Sequence, residues 1–196
     1  MSPPRAGPAG LVLTPGASAG REQSALVAID GAATTRGVLV ERIDFPYRLA
    51  GRRSPDPPHV LVATIGEEAA RLAQRAGVGL ERIALGGRSL GGRMCSVAVA
   101  EGLPAAALVL VSYPLHPPGR PERLRDDHFP AIGVPCLFVS GTRDAFARPD
   151  ELEGSTAVIP GPVTHVWIDG GDHGLRRRDG EVADAVGEWL GTLRPD

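Results

Sequence analysis

Six short runs of apolar and β-branched residues recur along the chain, and several of them are continuously apolar. Runs without a clean alternation of apolar and polar positions are typical of parallel strands buried on both faces. The predicted strands lie at Leu11–Leu13, Val38–Ile43, Ile83–Leu85, Ala107–Val111, Val134–Val139 and Val163–Ile168.

Helical patterns lie between several of these runs. Apolar residues keep helical spacing from Val62 to Ala76, after the Pro57-Pro58 pair and before Gly77, which are ordinary start and stop signals. A second apolar face runs from Val182 to Leu193, with Asp179 as its predicted N-cap. Alternating strands and helices predict an α/β fold with an open, parallel sheet.

Length and composition narrow the class of protein. The 196 residues suit a single domain over 1–196, and 42% hydrophobic residues permit a sizeable core. A net charge of −2 gives no bulk attraction to nucleic acid or to an anionic membrane. No apolar run reaches the roughly 18 residues of a membrane span, so we expect a soluble, cytoplasmic protein with residues 1–8 flexible.

The remaining compositional signals carry little chemistry. All 21 basic residues are arginine, and lysine and asparagine are absent, which indicates GC-rich coding and a bacterial source rather than a function. Cys95 and Cys136 have neither metal-ligand spacing nor a disulfide framework around them. We expect both thiols to pack as small hydrophobic side chains.

The strongest chemical signal is a serine surrounded by glycines. Gly87-Arg88-Ser89-Leu90-Gly91 fits G-x-S-x-G, follows a predicted strand and precedes a helical run. Glycines there remove side chains that would collide at a sharp strand-to-helix turn. The alternatives are an ordinary glycine-rich turn or a phosphate-binding loop, although G-x-G-x-x-G and G-K-[ST] are both absent. We interpret Ser89 as a nucleophile.

Two further residues fit the base and the acid that a serine nucleophile needs. Asp144 follows the fifth predicted strand and His173 follows the sixth, so all three residues lie at one edge of the sheet in the order serine, acid, histidine. Asp150 is an alternative acid. A metal site at Asp169, Asp172 and His173 is the other alternative, although this group has one histidine and no second cluster.

The first predicted strand ends in "LVLTPGASAG", a turn where this architecture supplies a backbone donor to an oxyanion hole. We predict the N–H groups of Leu90 and Ala17 as the two donors, with Ser18 as the alternative to Ala17. A simple tight turn at Gly16, without a catalytic role, stays open as the other interpretation.

These motifs together resemble the α/β-hydrolase superfamily. The sequence is similar to its small branch of testis-expressed-protein-like and NSL-complex-subunit-like domains, which is related to dienelactone hydrolases. The resemblance runs from about Leu11 to Leu193 and is carried by "LVLTPGASAG", "DFPYRLAGRR", "LGGRSLGGRM", "SYPLHPPGRPE", "VSGTRDAF" and "GGDHGL". Pro15 departs from the usual pattern, in which a histidine precedes the glycine of the first motif.

The resemblance implies a three-layer α/β/α sandwich, a minimal α/β-hydrolase fold with a six-stranded, mostly parallel sheet and no large cap. The strand order expected is two, one, three, four, five, six. It also implies Ser89, Asp144 and His173 as the triad of a serine hydrolase that acts on a small-molecule acyl substrate without a cofactor or metal. A non-enzymatic scaffold or binding protein that retains the triad geometry is the alternative, because some relatives act as scaffolds.

Residues around the predicted site suggest its walls. Tyr47 follows the second strand and Tyr113 the fourth, so both are candidates for substrate contact, with plain packing as the alternative. Arg88 adjoins Ser89, and Arg93 lies one helical turn further on; either could bind a substrate carboxylate. The alternative for Arg88 is a structural salt bridge to an acid such as Asp44.

Overall fold

The computed structural model describes residues 7–193, and the helices and strands form one three-layer unit. The strands are β1 (Gly10–Thr14), β2 (Leu39–Arg42), β3 (Ile83–Arg88), β4 (Leu108–Val111), β5 (Cys136–Gly141) and β6 (Val163–Ile168). The helices are α1 (Ser24–Thr34), α2 (Pro46–Leu49), α3 (Pro58–Ala76), α4 (Leu90–Ala100), α5 (Pro149–Thr156) and α6 (Asp179–Thr192).

The six strands form one parallel sheet in the order β2-β1-β3-β4-β5-β6. Both the predicted α/β/α class and the predicted strand order are confirmed. Between β4 and β5 the chain forms a loop with one short 3₁₀ turn at Phe129–Ala131, and the described residues contain no inserted cap domain. The carboxyl ends of all six strands therefore meet along one open edge.

Sequence signals at the helix ends agree with the structure except at one cap. The α3 helix starts at Pro58 and is followed by Gly77, whose left-handed φ of 65° stops the helix. The α6 helix begins at Asp179, whereas Arg178 occupies the N-cap that we predicted for Asp179. The acidic side chain is thus in the first turn, where it still faces the positive end of the helix.

Two apolar cores lie on the two faces of the sheet, because successive strand residues point to opposite sides. Val12 and Leu85 face α3 and α4, whereas Leu11 and Leu13 face α1 and α6.

Of the expected flexible segment 1–8, residues 1–6 lie outside the described residues. Gly7 and Pro8 are buried, and the carbonyl of Gly7 accepts N–H groups from Arg82 at 2.9 and 3.1 Å. None of the described helices is long and apolar enough to cross a membrane.

The turn from β3 into α4 passes very close to the end of β1. A Cβ on Gly87 would lie 2.0 Å from the Thr14 hydroxyl oxygen, and one on Gly91 would lie 2.6 Å from the Pro15 carbonyl oxygen. The same Thr14 hydroxyl donates a hydrogen bond of 2.9 Å to the carbonyl of Gly86. The glycines are therefore required by close backbone approach, as the sequence predicted.

Gly87→Ala is expected to reduce the free energy of unfolding by about 1–3 kcal/mol, because the new methyl group overlaps Thr14. Urea denaturation measures the loss. Gly31→Ala is the matched control: Gly31 lies in α1, its added methyl group would meet nothing within 4 Å, and alanine favours a helix by up to about 1 kcal/mol. A Gly87→Ala protein as stable as the parent would contradict this account of the turn.

Candidate active site

Ser89 occupies the sharp turn between β3 and α4. Its φ of 50° and ψ of −115° are a conformation that residues with side chains rarely adopt. Two hydrogen bonds hold the residue there: its N–H donates to the Val111 carbonyl at 2.9 Å, and its carbonyl accepts the Arg93 N–H at 3.0 Å. The hydroxyl is thus fixed at the N-terminus of α4, at the open edge of the sheet.

The structure brings together the three residues that the sequence predicts as a triad. Ser89 Oγ lies 2.9 Å from His173 Nε2, and His173 Nδ1 lies 2.8 Å from Asp144 Oδ2 and 3.0 Å from Asp144 Oδ1. Asp144 is 1% exposed, whereas the His173 side chain is 21% exposed. A partly accessible imidazole thus connects the hydroxyl to a buried carboxylate, the arrangement that activates a serine for attack.

Three contacts hold the imidazole in this position. The Phe146 ring stacks on His173 with ring centroids 4.0 Å apart, and the Phe146 N–H donates to Asp144 Oδ1 at 2.8 Å. Arg88 donates a hydrogen bond to the backbone carbonyl of His173. The rotation of the ring and the path of its loop are therefore both restricted.

The residues predicted as oxyanion donors border the same space. Ala17, Ser18 and Leu90 all line the cavity that contains Ser89 and His173. Leu90 is the first residue of α4, so its N–H has no acceptor within that helix. Within the described part of the chain, neither the Leu90 nor the Ala17 N–H donates a hydrogen bond.

Side chains from outside the first motif hold the loop that carries Ala17. The Tyr47 hydroxyl donates to the Ala17 carbonyl at 2.7 Å, and Gln23 Oε1 accepts the Gly16 N–H at 3.2 Å. The loop therefore has a defined shape although Pro15 stands where the usual pattern has a histidine.

The site opens into a cavity of about 460 Å³. This volume suits a small molecule. The loop segments 51–57 and 113–130 both reach it, through Pro55, Pro114 and Arg125. Arg88, Arg93 and Arg125 line it, together with the His173 imidazole.

The two tyrosines considered as substrate contacts are core residues instead. Tyr47 is 0% exposed and Tyr113 is 1% exposed, and neither lines the cavity. The Tyr113 hydroxyl donates to the Arg125 carbonyl at 3.0 Å, and burial raises the pKa of both phenols. Their positions after strands β2 and β4 are as expected, but their rings turn inward to pack, so each supports a loop rather than forming a wall.

The salt bridge to Asp44 that the sequence offered as the alternative for Arg88 does not form. Asp44 is bound by the Arg21 N–H at 2.8 Å, and Arg88 forms no ion pair within 4.0 Å in the described residues. Burial lowers the pKa of the Arg88 guanidinium, an effect that Asp144 opposes. Arg88 lines the cavity while holding the His173 carbonyl.

The structure does not support the remaining alternatives for the acid or for a metal site. The Asp150 side chain is 77% exposed and lies 3.5 Å from Arg148. The described residues contain no group of three or more histidine, cysteine, aspartate or glutamate side chains able to hold a metal ion. Cys95 is fully buried, and burial raises its pKa to about 12.

Sequence reasoning did not identify Gln23, Arg125 or Phe146. Phe146 lies in the motif that contains Asp144, two residues after it, so the motif itself was the available signal. Arg125 lies in the irregular segment 113–130 and Gln23 just before α1, where no periodicity indicates the direction of a side chain.

Fold and site define an α/β protein with a hydrogen-bonded serine, histidine and aspartate at the carboxyl ends of parallel strands. The chain belongs to the α/β-hydrolase domain family, whose profile matches residues 7–189. The resemblance to the α/β-hydrolase superfamily is thereby confirmed, and membership supports a hydrolase.

Curated and solved relatives agree with this assignment. Epoxide hydrolase A of Mycobacterium tuberculosis is 41% identical over 63 residues, but these are 32% of this chain and only 20% of that protein. Est1E of Butyrivibrio proteoclasticus with bound ferulic acid has a TM-score of 0.78 at 18% identity, covering 97% of this chain and 91% of that one.

Two further structures share the fold. Dienelactone hydrolase from Anabaena variabilis has a TM-score of 0.75 at 17% identity, covering 96% of this chain and 88% of its own. An α/β serine hydrolase without lid from Xanthomonas campestris has a TM-score of 0.75 at 16% identity, and the match covers 100% of this chain and 87% of that one.

Proposed function

We propose that this protein is a serine hydrolase that cleaves a small carboxylic ester or a related acyl substrate through an acyl-enzyme. One observation carries the proposal. Ser89 Oγ is 2.9 Å from His173 Nε2, whose Nδ1 is 2.8 Å from the buried Asp144 carboxylate. A serine hydroxyl needs such a base, and the base needs such an acid, to attack a carbonyl.

In the first half of the reaction, Ser89 Oγ bonds to the carbonyl carbon while His173 Nε2 accepts the hydroxyl proton. The carbonyl oxygen becomes negative and accepts the N–H groups of Leu90 and Ala17. His173 then gives the proton to the departing alcohol as the tetrahedral intermediate collapses. Asp144 fixes the imidazole tautomer and stabilises its positive form throughout.

In the second half, water replaces the alcohol. His173 takes a proton from water as its oxygen bonds to the acyl carbon, and returns the proton to Ser89 Oγ as the acid leaves. These residues complete both half-reactions by proton transfer and hydrogen bonding. Phe146 and Arg88 serve the cycle by keeping His173 between Ser89 and Asp144.

An activated Ser89 is expected to form one covalent adduct per chain with a fluorophosphonate, seen as a single increment in intact mass. Ser89→Ala and His173→Ala should abolish the adduct and lower ester hydrolysis about 10⁴–10⁶-fold, because triad residues act as a unit. Asp144→Asn should also lower hydrolysis by about 10⁴-fold, since the tautomer is no longer fixed.

Asp150→Asn is the matched control, because its exposed side chain lies outside the cavity, and we expect parental rates. A folded parent protein that takes up no label would instead favour a non-enzymatic scaffold with triad geometry. Labelling without ester turnover would indicate a serine hydrolase that acts on another class of acyl substrate.

The length of the substrate's acyl chain tests the shape of the site. No cap formed by the described residues covers the cavity of about 460 Å³, so a long acyl chain gains little burial there. We expect acetyl and butyryl 4-nitrophenyl esters to be hydrolysed with higher kcat/KM than the palmitoyl ester. A preference for palmitoyl would refute an open, short site.

Tyr47→Phe tests the proposed donor on the first loop. Loss of the hydroxyl frees the Ala17 carbonyl, and we expect kcat to fall about tenfold, less than the 10²–10³ lost with a whole oxyanion donor. Tyr113→Phe removes an equally buried hydroxyl that does not contact this loop. Both variants should lose about 1 kcal/mol of stability, but only Tyr47→Phe should lower kcat on a neutral ester. Equal kcat values in the two variants would contradict a role for the Ala17 N–H as an oxyanion donor.

A further inference from the structure

Three arginines border the cavity, and no acidic side chain does. Arg88, Arg93 and Arg125 all line it, whereas Asp144 is buried behind His173. The whole chain carries a net charge of −2, so the positive charge is a local property of this site. None of the three guanidinium groups forms an ion pair within 4.0 Å in the described residues.

The three arginines differ in the hydrogen bonds that their guanidinium groups form with the protein. Arg88 donates to the His173 carbonyl, and one Arg125 N–H lies 3.3 Å from the Pro114 carbonyl oxygen. Arg93 has no such contact. Its Nε is buried and has no hydrogen-bond partner, and its guanidinium donates no hydrogen bond within the described chain. A buried charged donor without an acceptor is unfavourable unless a ligand supplies one.

The position of Arg93 places such a ligand beside the reacting serine. Arg93 lies one turn along α4 from Ser89, and its backbone N–H donates to the Ser89 carbonyl at 3.0 Å. Four residues of helix rise about 6 Å, so the Arg93 guanidinium reaches a group only a few bonds from a carbonyl at Ser89.

The charge of Arg93 reaches two neighbouring groups, Arg125 and His128, and Asp126 and Asp127 oppose it at His128. Burial and then the charge of Arg93 lower the pKa of the Arg125 guanidinium. Ser96 Oγ lies 2.8 Å from His128 Nε2, and burial followed by the charge of Arg93 lowers the pKa of His128 to about 4. His128 therefore stays neutral near pH 7 and adds no charge of its own.

We propose that the cavity binds acyl substrates that carry a carboxylate, with Arg93 as its principal ligand and Arg125 as a second cation. This inference rests on the proposed hydrolase function. A guanidinium presents paired N–H groups that match the two oxygens of a carboxylate. The carboxylate belongs either to the acyl part or to the leaving group of the substrate, and the two cases are separated by experiment.

Two matched pairs of esters test the proposal. The first pair is the 4-nitrophenyl monoester of adipic acid and that of adipamic acid, which differ by a carboxylate on the acyl side. The second is 3-carboxyphenyl butyrate and 3-carbamoylphenyl butyrate, which differ on the leaving group. In at least one pair, kcat/KM is expected to be about tenfold or more higher for the anion, the range of a charge-assisted hydrogen bond.

Arg93→Gln is expected to reduce that anionic preference at least about tenfold, and Arg93→Lys to reduce it less, because charge remains without the paired donors. Arg125→Gln should weaken it in the same pair of esters. Arg71→Gln is the control, because Arg71 lies on the exposed side of α3 with Glu67 and Glu68 and should leave the preference unchanged. Thermal unfolding verifies that each variant is folded.

Equal kcat/KM within both pairs of the parent protein, or an unchanged preference in Arg93→Gln, would overturn the proposal. Two measurements separate this failure from failure of the hydrolase itself. Fluorophosphonate labelling of Ser89 reports the triad without any carboxylate. Calorimetry of adipate and adipamide with Ser89→Ala reports the anion site without turnover, and adipate binding that is absent, or unaffected by adding Arg93→Gln, counts against the site.

Discussion

The backbone of Ser89 is held in a conformation that its own side chain disfavours, at φ 50° and ψ −115°. Such a conformation costs about 1–3 kcal/mol and persists only where the surrounding structure enforces it. Here enforcement comes from contact between β1 and the β3–α4 turn, where Thr14 touches the positions that Gly87 and Gly91 keep free of side chains. In this conformation Ser89 Oγ lies at the start of α4, 2.9 Å from His173 Nε2.

The parallel sheet explains why the order of residues along the chain could predict their meeting in space. Parallel strands all end at one edge, so residues just after β3, β5 and β6 have to gather there. Ser89, Asp144 and His173 satisfy that condition, and their hydrogen-bonded distances follow from strand ends that are adjacent or nearly so. The strand order and the layer architecture were predictable for the same reason, since uninterrupted apolar runs alternate with helical stripes.

Loops were less predictable, because a loop position says nothing about where its side chain points. Tyr47 and Tyr113 follow the expected strands, yet their rings complete the core and only their hydroxyls reach loop carbonyls. The sequence suggests Asp44 as a salt-bridge partner of Arg88, but the Asp44 carboxylate accepts the Arg21 N–H. Arg88 donates instead to the backbone carbonyl of His173. Arg125 depends on the path of the segment 113–130, which has no repeating pattern to indicate it.

The positive charge of the cavity depends on where the buried Asp144 carboxylate lies and what it binds. The Asp144 carboxylate contacts His173 Nδ1 and accepts the Phe146 N–H, and within the described residues it forms no ion pair with an arginine that lines the cavity. Elsewhere arginines form ion pairs on the surface, as Arg42 does with Asp30 at 2.9 Å. Among the described residues the cavity arginines lack such partners, and leaving the buried Nε of Arg93 unpaired reduces the stability of the folded chain. Departures from local stability rules of this kind concentrate at functional sites, and here they coincide with Ser89 at the N-terminus of α4.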